Sequence, residues 1–511
     1  MLLYKTISDC TTDHITSFSP SLGPELRHFL TPYFLVPLWK IHTENVTIAS
    51  NQQLPRQPCF FVNHSSNETC LSMQPPALPS PLQKISNAIK ISLNPEAFFR
   101  KKLLTGKDEF FLSMPGLSQV LMTTSPAGAA EIFSAPISSL TSSLPSPLEP
   151  LLGSSSLILL QGEAHSQERK MIKPAFQGAC LRSYVPLIHN AVTNTVNRHQ
   201  FPATLNVQSF MHELTLDVII EVVFGVTNED RKIQYQNAIR NLLKKFTPPI
   251  MLLPFVRRTM FGIGPWDRFL QARVVLDTLI IEDINQAKKQ TEPRDDILST
   301  LVNLRDEQNA PLPESHIRDE LTTLLAAGHE TTANSLTWAI QLISSHPNVK
   351  SKLIDEIMAL PEDAPIEQVM KLKYLDAVIK EVLRVHPVVP LVLRSVVSDH
   401  TLMGYELKSG TYAGIASYAL HMNPKVWDKP EEFIPERFLE NDYRPNEYVP
   451  FGGGTKKCLG YGFALFEMKS VLFKLYRHTK IHMASEQTIE AAIQGITLGP
   501  KQKIIATFES R

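Results

Sequence analysis

From about residue 80 onward, apolar positions recur mostly three and four apart, the spacing that gives a helix one apolar face. Thr411 to Ala416 and Lys503 to Thr507 read instead as short strands. The longest helical run begins near Ser315, taken as its cap after Pro311 and Pro313, and reaches about His346, where Pro347 stops it. It spans roughly 30 residues, or about 45 Å. Its middle, Ala327-Gly328-His329-Glu330-Thr331-Thr332, is weak helix sequence, with Gly costing about 1 kcal/mol against Ala. A second run starts at Tyr461 and sets Leu465, Met468, Leu472 and Leu475 on helical spacing, with Phe463, Phe466 and Phe473 between them. A helix apolar nearly all round belongs in the interior. A third run carries the stripe Leu372, Leu375, Ile379 and Val382. Glu381 and Arg384 sit at i and i+3, away from that stripe, where periodicity expects a solvated ion pair.

Residues 1–78 differ. They are rich in Ser, Thr, Asn and Pro and close on Pro75-Pro76-Ala77-Leu78-Pro79-Ser80-Pro81, a linker-like stretch. The expected organisation is an extension of unknown role over 1–78 and a globular domain over 79–511. The apolar stretch from His28 to Ile41 is cut by Pro32 and Pro37, and no run of about 18 apolar residues occurs. No basic region followed by an apolar core marks a leader. A soluble, cytoplasmic protein with at most peripheral membrane contact is expected. Lys and Arg together number 50, matching 50 Asp and Glu, which argues against a general nucleic-acid binder. The five cysteines, Cys10, Cys59, Cys70, Cys180 and Cys458, are scattered without a CxxC pair, so a disulfide framework is not expected.

Cys458 carries the chemistry. It lies in Phe451-Gly452-Gly453-Gly454-Thr455-Lys456-Lys457-Cys458-Leu459-Gly460, just ahead of the apolar run from Tyr461. One thiolate without a second Cys or His nearby does not make a tetrahedral zinc site. It suits the iron of a flat cofactor held from one side, with glycines letting the backbone pass close by. Near a helix amino terminus, the dipole and free N–H groups favour a negative sulfur. A phosphate loop is ruled out, because GxxxxGK[ST] is needed and Thr-Lys-Lys follows the glycines. His329-Glu330 opens HExxH, but the second histidine would fall at Ala333, so a zinc protease is ruled out as well.

The spacing Phe451-x-x-Gly454-x-x-x-Cys458-x-Gly460 resembles the haem-binding loop of the cytochrome P-450 family of haem-thiolate monooxygenases, in a soluble, bacterial-type form. Ala327 to Thr332 resembles that family's oxygen-binding segment. Glu381-x-x-Arg384 and Phe433 to Phe438 resemble its structural acid–base network, which would bring in Arg437. Five ordered motifs cover about residues 80 to 511. The departure is Lys456, where the family usually has Arg or His, so a propionate contact from that position is left open.

The resemblance implies a mainly α fold with small β-sheets, holding haem b (iron protoporphyrin IX) between the long central helix and the Cys loop. Cys458 would be the iron ligand, with Phe451, Gly454 and Gly460 shaping its loop. His165, Arg169 and Arg394 would bind the propionates. Gly328 would clear space for dioxygen beside a local distortion of the helix, and Glu330 and Thr331 would serve proton delivery. One oxygen atom from O2 would enter a lipophilic substrate, such as a fatty acid or terpenoid. The lining is expected from Val388 to Leu393 and from Pro248 to Phe255. About fifty residues follow Cys458, too few for a fused reductase, so electrons are expected from a ferredoxin or flavodoxin with its reductase. Lys457, Lys469, Arg169, Lys170 and Lys173 would form its docking patch. A haem-thiolate peroxygenase or isomerase, or a non-catalytic haem sensor, are the rival readings.

Overall fold

A computed structural model describes residues 73–511, except positions 116, 118, 143–145, 147, 291–293, 307, 363, 486–487 and 495–496. The expected extension over 1–78 therefore lies, up to residue 72, outside the described residues. Among those described, helix dominates, with twelve helices of nine residues or more. In order they are α1 (Pro81–Leu93), α2 (Pro95–Leu103), α3 (Pro126–Ser134), α4 (Gly162–Ile172), α5 (Gly178–Arg198), α6 (Val207–Val218), α7 (Glu229–Lys245), α8 (Pro265–Ala287), α9 (Glu314–Ser345), α10 (Pro347–Ala359), α11 (Lys373–Val385) and α12 (Tyr461–His478).

Local signals set several of these ends. Asn94 both ends α1, giving its N–H to Lys90 O at 3.1 Å, and starts α2 by accepting Ala97 N–H on its side chain at 2.9 Å. Ser125 caps α3 through Gly128 N–H at 3.1 Å. The expected cap of α9 is displaced. Pro313, not Ser315, holds the cap position, and no side chain caps the first turn. The helix runs 32 residues to Ser345 and stops before Pro347. The helix runs without interruption through the Ala327 to Thr332 segment, where a local distortion is expected.

Among the described residues, twelve short strands form small sheets. β1 (Glu109–Leu112), β2 (Val120–Thr123), β3 (Leu140–Ser142), β5 (Leu391–Val396) and β8 (Tyr412–Ala416) make one sheet in the order β1-β2-β8-β5-β3. Only β2 and β8 pair parallel within it. Arg394 on β5 lies between Ala413 and Ser142 in register. β4 (Ala203–Asn206), β12 (Ile505–Ser510) and β9 (Thr479–Met483) make another sheet. β6 (His400–Leu402) pairs with β7 (Tyr405–Leu407), and β10 (Ala491–Gln494) with β11 (Thr497–Pro500). The strand expected to begin at Lys503 thus begins two residues later and runs on to Ser510.

The main core sits around α9, which packs on α6, α8, α11 and α12. Leu321, Leu336, Trp338 and Ile340 are fully buried there. Trp338 stacks on His386 at the end of α11, with ring centroids 3.7 Å apart and planes 13° from parallel. Such a pair stabilises by about 0.5–1.5 kcal/mol beyond its area. His386 Nδ1 in turn meets Glu96 on α2 at 2.9 Å, tying three helices together. The solvated reading of Glu381 and Arg384 is overturned, since both are 0% exposed. Periodicity misplaced them because α11 is covered on both of its sides, so its polar face is interior too.

Candidate active site

The segment Tyr448 to Gly460 turns tightly ahead of α12. Gly454 has φ +64°, and a Cβ there would lie 2.4 Å from Phe133 O on α3. At Gly453 a Cβ would meet the Phe133 ring at 2.5 Å. These glycines therefore let the loop press on α3, which differs from the close approach to a cofactor expected of them. Gly460 caps α12, and no protein atom lies within 4 Å of where its Cβ would be. Phe451 is half-buried against the main core, and its carbonyl accepts Cys458 N–H at 2.9 Å.

Cys458 retains an accessible face. Surrounding protein pushes its thiol up by burial, while a Gly460 backbone hydrogen bond and the charges of Arg169 and Lys457 pull the other way. The balance leaves the free thiol protonated at neutral pH, and metal coordination is what removes such a proton outright.

Four basic side chains gather around this loop. Arg169 Nη2 on α4 donates to Lys457 O at 2.7 Å, which docks the helix on the Cys segment. His165, one turn earlier, is 1% exposed, and its Nδ1 has no hydrogen-bond partner. Burial and the charges of Lys456, Arg169 and Arg394 push that imidazole down to about 4. Arg394 on β5 donates only to Leu393 O, at 2.9 Å, and burial lowers it to about 10, still charged at neutral pH. Lys456 Nζ donates to Leu160 O at 2.7 Å, and burial together with Arg394 and Arg169 lowers it to about 7. No acidic side chain pairs with any of the four among the described residues. Repelling, half-desolvated cations with an orphaned imidazole beside an accessible sulfur suit a dianionic, metal-containing group. Lys456, left open by the sequence, is part of this cluster.

On α9 the segment Ala327 to Thr332 sits mid-helix. Ala327 is the one exposed residue between Leu321 and Ser335, with Leu324 and Thr331 partly exposed a turn either side. This accessible strip is the part of α9 left uncovered by the protein's own side chains. Thr331 Oγ1 donates to Ala327 O at 2.6 Å, and Ser335 Oγ to Thr331 O at 2.8 Å. Gly328 has a different neighbour. A Cβ there would lie 2.9 Å from Ile219 Cδ1, on the π-helical turn Ile219–Val223 that follows α6. The room beside Gly328 is taken by that side chain.

Glu330 accepts a hydrogen bond from Thr497 Oγ1 on β11 at 2.7 Å, and burial pushes its carboxyl up. Asn334 Nδ2 donates to the same Thr497 oxygen at 3.0 Å. The adjacent His329 is buried between Thr215, at 2.9 Å, and His212, at 3.5 Å, and is held neutral, down to about 3. Sequence reasoning missed Thr497 and Asn334. Asn334 lies one turn beyond Glu330 on α9, which is a signal, but Thr497 is more than 160 residues away and gives none.

A family profile described as Cytochrome P450 matches residues 76–506. Putative cytochrome P450 135A1 of Mycobacterium tuberculosis is 31% identical over 399 residues, 77% of this chain and 86% of its own. Human Cytochrome P450 4V2 is 30% identical over 400 residues, 71% of this chain and 75% of its own. Among solved structures, retinoic acid-bound cyanobacterial CYP120A1 aligns with a TM-score of 0.71 at 25% identity, covering 83% of this chain and 96% of its own. The haem domain of cytochrome P450DA aligns with a TM-score of 0.75 at 22% identity, covering 86% and 98%. The chain belongs to the cytochrome P450 family. It is thereby a haem-thiolate monooxygenase that binds haem b, with a lipophilic substrate and a redox partner in general terms.

Proposed function

We propose that this enzyme inserts one oxygen atom from O2 into a fatty acid, terpenoid or similar lipid, with electrons from a ferredoxin or flavodoxin and its reductase. The observation that carries this reading is the accessible Cys458 sulfur set among Arg169, Arg394, Lys456 and the neutral His165, none of which has an anionic partner among the described residues. Cys458 ligates the iron, and His165, Arg169, Arg394 and Lys456 hold the propionates. Bound haem supplies the activation of O2 and the transfer of its oxygen. Thr331, on the accessible strip of α9, presents a hydroxyl already oriented by Ala327 O. Glu330, with its carboxyl pushed up by burial, holds a proton closer to neutral pH than an exposed acid does and receives it past Thr497.

The substrate class rests on the half-buried Leu391, Val392 and Leu393, which lead to Arg394. It also draws on CYP120A1, a similar structure that binds the lipid retinoic acid. The segment from Pro248 adds exposed Phe255, Met260, Phe261 and Ile263, suited to peripheral contact with a lipid surface. No helix among the described residues is long and apolar enough to cross a membrane. A cytoplasmic location is part of the proposal. Lys170, Lys173 and Lys457 are exposed and suit an acidic electron carrier. Lys469, expected in that patch, is instead buried, with Nζ on Asp376 at 2.6 Å and Met370 O at 2.9 Å.

The test is reconstitution with ferredoxin, its reductase, O2 and a lipid panel, preceded by reduced CO-difference spectroscopy. Oxygenated product and loss of pigment in Cys458→Ala are expected. Product with hydrogen peroxide alone would point to a peroxygenase, and ligand binding without turnover to a sensor.

A further inference from the structure

Away from the cation cluster, three metal-ligating side chains from two helices converge. Glu168 comes from α4, and His316 and Glu320 lie at i and i+4 on the first turns of α9. One donor atom from each lies within 4.8 Å of the other two. Glu168 is 5% exposed and Glu320 3%, while His316 is mostly buried. The i and i+4 spacing is how one helix face offers two ligands to a common point.

The contact between Glu168 and His316 has an unusual geometry. Glu168 Oε1 and His316 Nε2 are 2.9 Å apart, an ion-pair contact that raises the imidazole, yet ring and carboxylate are not aligned for a well-directed hydrogen bond and neither atom has another partner. Two atoms bound about 2.1 Å from one zinc-sized ion, at angles of about 90–110°, stand roughly 3.0–3.4 Å apart without pointing at each other. Glu320 Oε1 accepts Leu157 N–H at 2.6 Å, which fixes its orientation. The nearby guanidinium groups of Arg273 and Arg318 serve Asp277 and Asp319 instead. Without an ion the cluster holds protons, since burial and the Glu168 charge push Glu320 up to about 8 and the Glu168 contact raises His316. A divalent cation would displace them, leaving two carboxylates and a neutral imidazole to balance its charge. The imidazole favours first-row transition metals over Mg²⁺ or Ca²⁺, which take oxygen ligands.

We propose that Glu168, His316 and Glu320 form a binding site for a first-row divalent cation, zinc being the type case, which clamps α4 to α9. The clamp would bear on the haem side of the molecule, because Glu168 precedes Arg169 and follows His165 by one turn on the same helix. It is a structural metal, separate from the haem iron and independent of the substrate reading.

Haem-loaded protein, stripped with EDTA and dialysed, is titrated with Zn²⁺ against a chromophoric chelator. One tight equivalent is expected, raising the temperature at which Soret absorbance is lost. His316→Ala and Glu168→Gln should each weaken zinc binding by at least about tenfold, while Glu163→Gln, exposed on the same helix, should not. Glu320→Gln keeps an acceptor for Leu157 N–H and preserves packing, so an intact Soret band with weakened zinc binding supports the site. Zinc-edge X-ray absorption on wild type reads the ligands without any variant, and nitrogen and oxygen neighbours without sulfur are expected. No tight equivalent, equal affinity in the variants, or a sulfur ligand overturns the proposal and leaves an ordinary cluster of buried acids and histidine.

Discussion

Arg384 forks onto Glu381, with its Nε and Nη2 donating to the two carboxylate oxygens at 2.7 and 2.8 Å in a wholly buried setting. Arg437 Nε adds a third bond to the same carboxylate at 3.1 Å. The spare Arg384 donors reach His421 O, Pro430 O and Glu432 O, which stitches α11 to the chain ahead of the Cys loop. Glu381→Ala leaves two buried guanidinium groups without their anion, and a loss of about 3–5 kcal/mol is expected. Arg384→Lys keeps the charge but not the planar fork and should not rescue. Urea unfolding followed by circular dichroism decides it, and a change under 1 kcal/mol in Glu381→Ala would refute a structural role.

Gly454→Ala meets two obstacles. Its left-handed backbone costs a side-chain residue about 1–2 kcal/mol, and its Cβ would press on Phe133 O. Faster haem loss to an acceptor globin is expected, with secondary structure unchanged. Equal release rates would show that the fit of this loop on α3 does not govern haem retention.

Lys456→Met should weaken haem retention without abolishing it, since His165, Arg169 and Arg394 remain. The haem-free protein offers a separate readout. Lys456 is lowered to about 7 from an ordinary 10.5, so the folded state holds fewer protons than the unfolded chain between those values. Its contribution to stability is therefore unfavourable at pH 7 and recovers as pH rises toward 10. Comparing wild type with Lys456→Met across that range should show the slope only in wild type.

Glu467 on α12 is 0% exposed, and neither carboxylate oxygen has a hydrogen-bond partner, so burial pushes its pKa well above the ordinary range. The sign follows from which state keeps the proton. Below the unfolded value both states are protonated and nothing is lost. Above it the unfolded chain ionises and the folded one does not, so stability falls by up to about 1.4 kcal/mol per pH unit. Glu467→Gln should match wild type at pH 4 and exceed it at pH 8 in thermal unfolding. Parallel curves for the two proteins would count against a buried, proton-holding acid.

Thr497→Val removes the donor that stabilises the ionised Glu330, so the Glu330 carboxyl should rise further. If Glu330 delivers protons in turnover, the alkaline limb of kcat moves to higher pH. Thr331→Val should lower kcat at least about tenfold with haem content intact. Unmoved pH profiles would separate Glu330 from the proton path.

Much of this was legible because it is local. The Cys458 loop, the stop of α9 ahead of Pro347 and the apolar run of α12 are set by neighbouring residues and their spacing. The fold around α9 follows from the length of that helix and its cover of apolar faces. What failed depends on distant segments. Glu381 looked solvated because periodicity does not report that chain from Pro430 to Arg437 covers the polar face of α11. Lys469 looked like a surface cation until Asp376 and Met370 enclosed it. Thr497 as the partner of Glu330 is a property of tertiary structure alone.

Ala327 is the most open position of a partly exposed stretch, Leu324 to Thr331, on a helix packed on either side of it. With haem bound, a larger side chain there would meet cofactor and substrate before it meets the core, so bulk at that position bears on what the site holds more than on whether the chain folds. Changing what the enzyme accepts and keeping it folded thus become separable aims, and a size series at 327 is a natural starting library for redirecting its selectivity.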